Sequence, residues 1–155
     1  MIVRGLLAVL SLAAPAVAQD RCIVACDVVT EGADAAARVE AVLGIPVPPE
    51  AEVVGLVEGG FQDAFAQARF EADGPALDAL LAAIGAKRGD LTLRDDPYAS
   101  PYAGDDGPSW WDVTGTRKIL GAEGALPGYA YTTLLARPPR GERARWTVYL
   151  WAFQT

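Results

Sequence analysis

The sequence predicts an α+β fold: an antiparallel sheet with two or three packed helices, forming a single compact domain. Three observations lead there. Apolar residues recur at helical spacing in two stretches, near residues 36–43 and 77–84. Segments at 53–58, 61–72, 129–136 and 145–153 instead carry the alternation or the β-branched and aromatic content of strands. The strands are joined through Gly59-Gly60 and through Pro138-Pro139-Arg140-Gly141, short connections of the kind that make hairpins.

Each element has a local reason. Thr30 is a candidate cap for a helix running to Leu43, with Ala36, Val39 and Leu43 on one stripe and Gly44 as its stop. Ile45-Pro46-Val47-Pro48-Pro49 is extended, because each proline biases its predecessor away from helix. Residues 53–58 read as a strand and Gly59-Gly60 as a turn. In 61–72, Ala64, Ala66, Ala68, Phe70 and Ala72 alternate with polar residues, which suits a half-buried strand, although the alanines by themselves favour helix. Pro75 suits the first position of a helix whose stripe is Leu77, Leu80, Leu81 and Ile84, stopped by Gly85. Residues 90–108 are loop-rich. In the last strand Trp146, Val148 and Leu150 alternate with Tyr149, Trp151 and Phe153, so both faces are apolar and the strand is interior to the sheet or covered on both sides.

Residues 1–18 read as a secretory signal peptide. Arg4 is the positive n-region, residues 6–14 are the apolar h-region, Pro15 breaks it, and Ala16-Val17-Ala18 is a small-x-small site with cleavage after Ala18. The apolar run is well short of the ~20 residues that span a bilayer, so no membrane anchor is expected after cleavage. The domain is then 19–155, in the periplasm or secreted. Cys22 and Cys26 both remain, in an oxidising compartment. Their Cα atoms must come within ~7 Å to bridge. Four residues of extended chain span ~13 Å, so a disulfide requires a turn or helical stretch there. A structural disulfide is the expectation, with free thiols next. A redox or copper site comes last, because the spacing is not C-x-x-C and no His accompanies the thiols.

Ile45-Pro46-Val47-Pro48-Pro49-Glu50-Ala51, Gly60-Phe61-Gln62-Asp63 and Ala68-Arg69-Phe70, followed by a Leu-rich helix, resemble a group of small exported bacterial proteins and lipoproteins of unknown function. The similarity covers residues 35–86, with a weaker echo in Trp110-Trp111 and the Tyr149-Leu150 strand. In that group a proline segment leads into a strand, a second strand follows, and a helix comes next. The resemblance implies fold and compartment, supports a strand at 61–72, and implies no activity. This chain departs from the lipoprotein members, since Ala18-Gln19-Asp20-Arg21 ahead of Cys22 is not a lipobox.

Composition removes whole classes of chemistry. A net charge of −7 argues against nucleic acid and anionic membranes as partners. The absence of His excludes Ser-His-Asp and Cys-His machinery and His-based zinc sites. Walker A and G-x-G-x-x-G loops are missing as well. Ser100 and Ser109 coexist with Lys87 and Lys118, but nothing local marks either serine as activated.

What remains is the acidic, aromatic stretch 95–112. Its carboxylates, Asp95, Asp105, Asp106 and Asp112, suit calcium or a glycan-hydrolysing pair, though the spacing is not that of an EF-hand. Its aromatics, Tyr98, Tyr102, Trp110 and Trp111, suit a protein-binding edge. Against these stands the plain reading, in which Pro, Gly and Asp make a solvated loop and Trp110 and Trp111 tuck back as a lid on the core. A structural protein with no specific ligand is a third reading, and fully buried surface aromatics would mark it. A second feature is the basic cluster Arg137, Arg140, Arg143 and Arg145, broken by Glu142, either a solubilising hairpin tip or a docking point for an acidic partner or an anionic glycan. The expected function is non-catalytic: an exported, soluble accessory or inhibitory protein that binds another envelope or secreted protein. The binding set is Tyr98, Tyr102, Asp105, Asp106, Trp110, Trp111, Arg140 and Arg143, with no catalytic residue, metal ligand or cofactor assigned. The alternative is a carboxylate-dependent glycan hydrolase or calcium-binding envelope protein using residues 95–112.

Overall fold

The computed structural model describes residues 27–60, 63–94, 107–113, 119–140 and 144–154. The 1–18 segment and the Cys22/Cys26 pair lie outside the described residues. Seven strands are present among them: β1 (Val28–Glu31), β2 (Ala51–Gly59), β3 (Phe65–Ala72), β4 (Thr92–Arg94), β5 (Ile119–Gly124), β6 (Tyr131–Arg137) and β7 (Trp146–Phe153). Two helices accompany them, α1 (Ala35–Leu43) and α2 (Gly74–Ala83). All seven strands join one sheet in the order β1-β2-β3-β7-β6-β5-β4, and every neighbouring pair is antiparallel.

This corrects the predicted α+β class with two or three packed helices. Among the described residues the fold is a seven-stranded antiparallel sheet with two short helices, and the sheet dominates it. The physical reason lies in three strands that the periodicity argument did not see. Thr30 belongs to β1 and caps no helix; α1 starts later, after a single 3-10 turn at Gly32–Asp34. β4 is a three-residue edge strand inside a stretch read as loop. β5 contains Gly121 and Gly124, which lower strand propensity but leave room for neighbours. A Cβ on Gly121 would lie 2.9 Å from Leu135 Cδ2, and one on Gly124 would lie 2.2 Å from the Ile84 carbonyl oxygen.

The chain meanders from one edge to β3, crosses to the other edge through α2, and meanders back so that β7 pairs with β3. The last strand is therefore the central one, in register as Phe65↔Phe153, Gln67↔Trp151, Arg69↔Tyr149 and Glu71↔Thr147. Both helices lie on one face. Val39 and Leu43 of α1 and Leu77, Leu80 and Leu81 of α2 pack with Leu56, Phe70, Leu134, Val148 and Leu150 in the larger core. Gly44 ends α1 at φ 67°, and Asp73 caps α2 by accepting the Ala76 N–H at 2.8 Å.

The opposite face holds a second, smaller core of Val57, Phe65, Trp110, Trp111, Val113, Ile119, Leu135 and Tyr149. The bulge in β2 between Val53 and Gly55 serves both cores. Val53 packs towards the helices, Val54 towards the tryptophans, and Leu56 is again in the helix-side core.

Candidate functional site

Residues 107–113 cross the face of the sheet opposite the two helices as a lid, in which Trp110, Trp111 and Val113 enter the smaller core. The Trp110 ring packs against β2 at Gly55, where a Cβ would fall 2.5 Å from the ring carbon Cε2. Its Nε1 donates to Glu31 Oε1 of β1 at 2.6 Å. The Trp111 N–H closes a turn onto the Pro108 carbonyl at 2.9 Å. That turn sends the Trp111 ring edge-on against Trp110, 6.1 Å between centroids at 81°, and against Tyr149, 5.3 Å at 88°. Trp110 is 8% exposed and Trp111 7%. Neither ring stands out from the surface as a contact residue.

Asp112 fixes the lid. Its carboxylate accepts a short hydrogen bond from the Tyr149 hydroxyl, one from Arg137 Nη1 at 3.0 Å and a longer one from Arg69 Nη1 at 3.4 Å. The two arginines also donate to lid carbonyls, Arg69 to Trp110 at 2.8 Å and Arg137 to Asp112 at 2.7 Å. Arg69 is held from below by Glu71 at 2.9 Å, and Glu71 accepts from the Thr147 hydroxyl at 3.2 Å. Both guanidiniums lie over the Tyr149 ring, at 5.7 Å for Arg69 and 5.2 Å for Arg137. Arg69, Arg137 and Tyr149 come from β3, β6 and β7, three adjacent strands whose register puts these side chains on one face.

The electrostatics follow from this geometry. Burial pushes the Asp112 carboxyl up, but hydrogen bonds from Tyr149 and Arg137 and the two guanidinium charges outweigh it, and the pKa falls below the ordinary aspartate value. Burial, and then the hydrogen bond to Asp112, push the Tyr149 hydroxyl well above the ordinary tyrosine value. Asp112 therefore stays ionised and Tyr149 protonated across neutral pH. Ionised Asp112, protonated Tyr149 and the two guanidiniums satisfy one another, and together they clamp the lid to the sheet.

Most of the sequence-predicted site residues, and Asp95 with them, fall outside what the structure describes. Tyr98, Tyr102, Asp105, Asp106 and Arg143 lie outside the described residues. Of the carboxylates considered for hydrolysis or calcium, Asp112 is committed to the clamp. The basic cluster divides: Arg137 holds the lid, and Arg145 donates to the carbonyls of Glu50 and Glu71, both at 2.8 Å, and to Glu52 at 3.3 Å. Arg140 remains exposed. Among the described residues, no group of three or more His, Cys, Asp or Glu side chains is placed to hold a metal ion.

One feature of this face was not foreseen. Beyond the lid, Phe65, Phe153 and Tyr131 are direct cross-strand neighbours on β3, β7 and β6. Trp151 stands next to Phe153, 6.4 Å between ring centroids at 49°. Phe65 is buried, Trp151 and Phe153 are half-buried, and Tyr131 is 64% exposed. Thr133 and Glu123, paired across β6 and β5, border the row with polar groups. The alternation of Tyr149, Trp151 and Phe153 was the available signal. It says that three aromatics share a face, but not where on that face the cover stops. No protein-family model, curated protein or solved structure matches this chain, so its function is argued from these residues alone.

Proposed function

We propose that this is an exported, non-catalytic binding protein, an accessory or inhibitory partner of another envelope or secreted protein, which docks through the uncovered end of the lid-side face. The observation that carries the reading is Tyr131, 64% exposed at the end of a cross-strand aromatic row. A tyrosine that keeps most of its surface in water beside half-buried Phe153 and Trp151 offers a rigid, amphipathic anchor with little side-chain entropy to lose on binding. The Thr133 and Glu123 positions supply a polar rim. Trp110 and Trp111 support this from beneath, by filling the other half of the face and fixing the strands that present the row.

The test is cross-linking in intact cells with tagged protein, comparing the natural chain with Tyr131→Ala. A stoichiometric partner held by the natural chain and lost from Tyr131→Ala, with unchanged circular dichroism and melting temperature, is the expected result. Equal retention by both chains would remove the aromatic row as the docking surface.

A further inference from the structure

We propose that the outer edge of β1 accepts an added β-strand from a partner protein, and that the strand it fits is a β-branched segment with a basic residue at each end. β1 is the terminal strand of the sheet, and among the described residues it pairs only with β2. In an antiparallel ladder every second residue turns its N–H and C=O away from its partner, so among the described residues this edge carries backbone donors and acceptors with no ladder partner. Edge strands are commonly guarded by a lysine, a proline or a bulge. β1 has no lysine or proline, and the bulge lies in β2 instead; its guards are its four-residue length and the carboxylate of Glu31, and that charge repels an acidic strand but not a basic one. Val28 and Val29, on opposite faces, are each 50% exposed. A strand laid beside them would cover apolar surface on both sides of the sheet at once.

The charges choose the occupant. Asp27, Val29 and Glu31 alternate onto the lid-side face, so a carboxylate flanks Val29 at each end. The Asp27 carboxylate lies over Gly59, and Glu31 accepts from Trp110 Nε1. A second copy of this chain fits badly. Antiparallel pairing centred on Val29 sets Asp27 of one copy opposite Glu31 of the other, and like charges directly across a ladder repel. A lysine or arginine at both of those positions reverses the sign, and β-branched residues between them meet Val28 and Val29. Strand addition of this kind draws its affinity from the main chain and its selectivity from alternate side chains. The edge is four strands away from Tyr131 of β6 in the sheet order, so this inference stands or falls apart from the docking surface proposed above.

The experiment is fluorescence anisotropy with the purified protein and three labelled peptides. The first has two lysines four positions apart with three β-branched residues between them. The second has glutamate in place of both lysines. The third keeps the lysines but is N-methylated at alternate residues on the edge that would pair. Binding of the first peptide, at least tenfold weaker binding of the second, loss of the third, and loss of the first on Val29→Lys are expected. Val29→Lys is a substitution at a half-exposed edge, and an unchanged melting temperature confirms that it folds. Equal binding of the lysine and glutamate peptides, undiminished binding of the N-methylated one, or no binding of any would overturn the proposal. So would sedimentation showing that the protein alone dimerises and that Val29→Lys restores the monomer, because the edge would then be occupied by a second copy.

Discussion

Gly55 gives the sharpest test of the lid. It lies in β2 beneath the Trp110 ring, and a methyl group there would sit 2.5 Å from Cε2, 2.6 Å from Cζ2 and 2.8 Å from Nε1 of that ring. The indole must therefore lift when Gly55→Ala is made. Complete expulsion of a tryptophan re-exposes roughly 200 Å². At about 25 cal/mol per Å² that amounts to ~5 kcal/mol as an upper bound. A tilt loses only part of that area, but it also breaks the Nε1 bond to Glu31, and a hydrogen bond to a charged acceptor contributes about 1.5–3 kcal/mol. Against this, alanine restricts the unfolded chain and returns ~0.4–1 kcal/mol. The net expectation for Gly55→Ala is a destabilisation of about 2–3 kcal/mol. Trp110→Ala by itself should cost about 3–5 kcal/mol, as large-to-small changes in cores do. In the Trp110→Ala background the obstruction is gone, and Gly55→Ala should become neutral or stabilising by ~0.5 kcal/mol. Urea unfolding followed by far-ultraviolet circular dichroism, which needs no tryptophan signal, measures all four chains. If Gly55→Ala has the same sign and size in both backgrounds, the ring does not rest on this glycine and the reasoning fails.

The clamp makes three further predictions at lower cost. Asp112→Asn removes the charge but leaves an acceptor for Tyr149; because the Asp112 side chain is 47% exposed, the loss at pH 7 should be about 1–2 kcal/mol. That difference should shrink in melts taken at falling pH. The folded pKa of Asp112 lies below its unfolded value, so its contribution is complete above the unfolded value and disappears as pH drops through the folded one. Tyr149 acts in the opposite direction: its folded pKa is raised, so its contribution is complete below the unfolded value of ~10 and is lost as pH climbs past it. Tyr149→Phe should flatten that alkaline limb of the stability profile. On the other side of the sheet, Asp73→Ala deletes the cap of α2 and should cost ~1 kcal/mol in a denaturant titration, with the aromatic row untouched.

How much of the fold was legible depended on whether a segment's own pattern matched its environment. α2 was plain, because Pro75, a continuous leucine stripe and Gly85 agree at every position. β3 was ambiguous locally, since alanines serve helix and strand alike. It became a strand because Ala66, Ala68, Phe70 and Ala72 all lie against the helices while Gln67, Arg69 and Glu71 face the lid. β1, β4 and β5 were missed for a common reason. A short edge strand shows too little alternation to register, and β5 trades strand propensity at Gly121 and Gly124 for room beside Leu135 and Ile84. Those three strands shift the fold from mixed to sheet-dominated, so the error in class arose from the weakest segments and not from the strongest.

The site was legible in composition and illegible in arrangement. Residues 107–113 could be read as a lid or as an exposed edge, and nothing within the segment decides between them, because the decision is made by its partners. Asp112 meets Arg137 across 25 positions of sequence, Tyr149 across 37 and Arg69 across 43. No spacing rule links these residues; they converge only because β3, β7 and β6 are neighbours in the sheet. The same strand order brings Phe65, Phe153 and Tyr131 into a row, so one topological fact creates both the clamp and the aromatic row that ends in exposed Tyr131. β7 carries the boundary between them: Tyr149 lies beneath the lid, whereas Trp151 and Phe153 keep part of their surface in water. Where the cover stops along β7 is set by the position at which Asp112 is anchored. The acidic residue that the sequence offered as a candidate for catalysis or calcium thereby acquires a different role. It holds the lid on the Trp110–Trp111 half of the face, while Tyr131 at the other end of the row stays exposed.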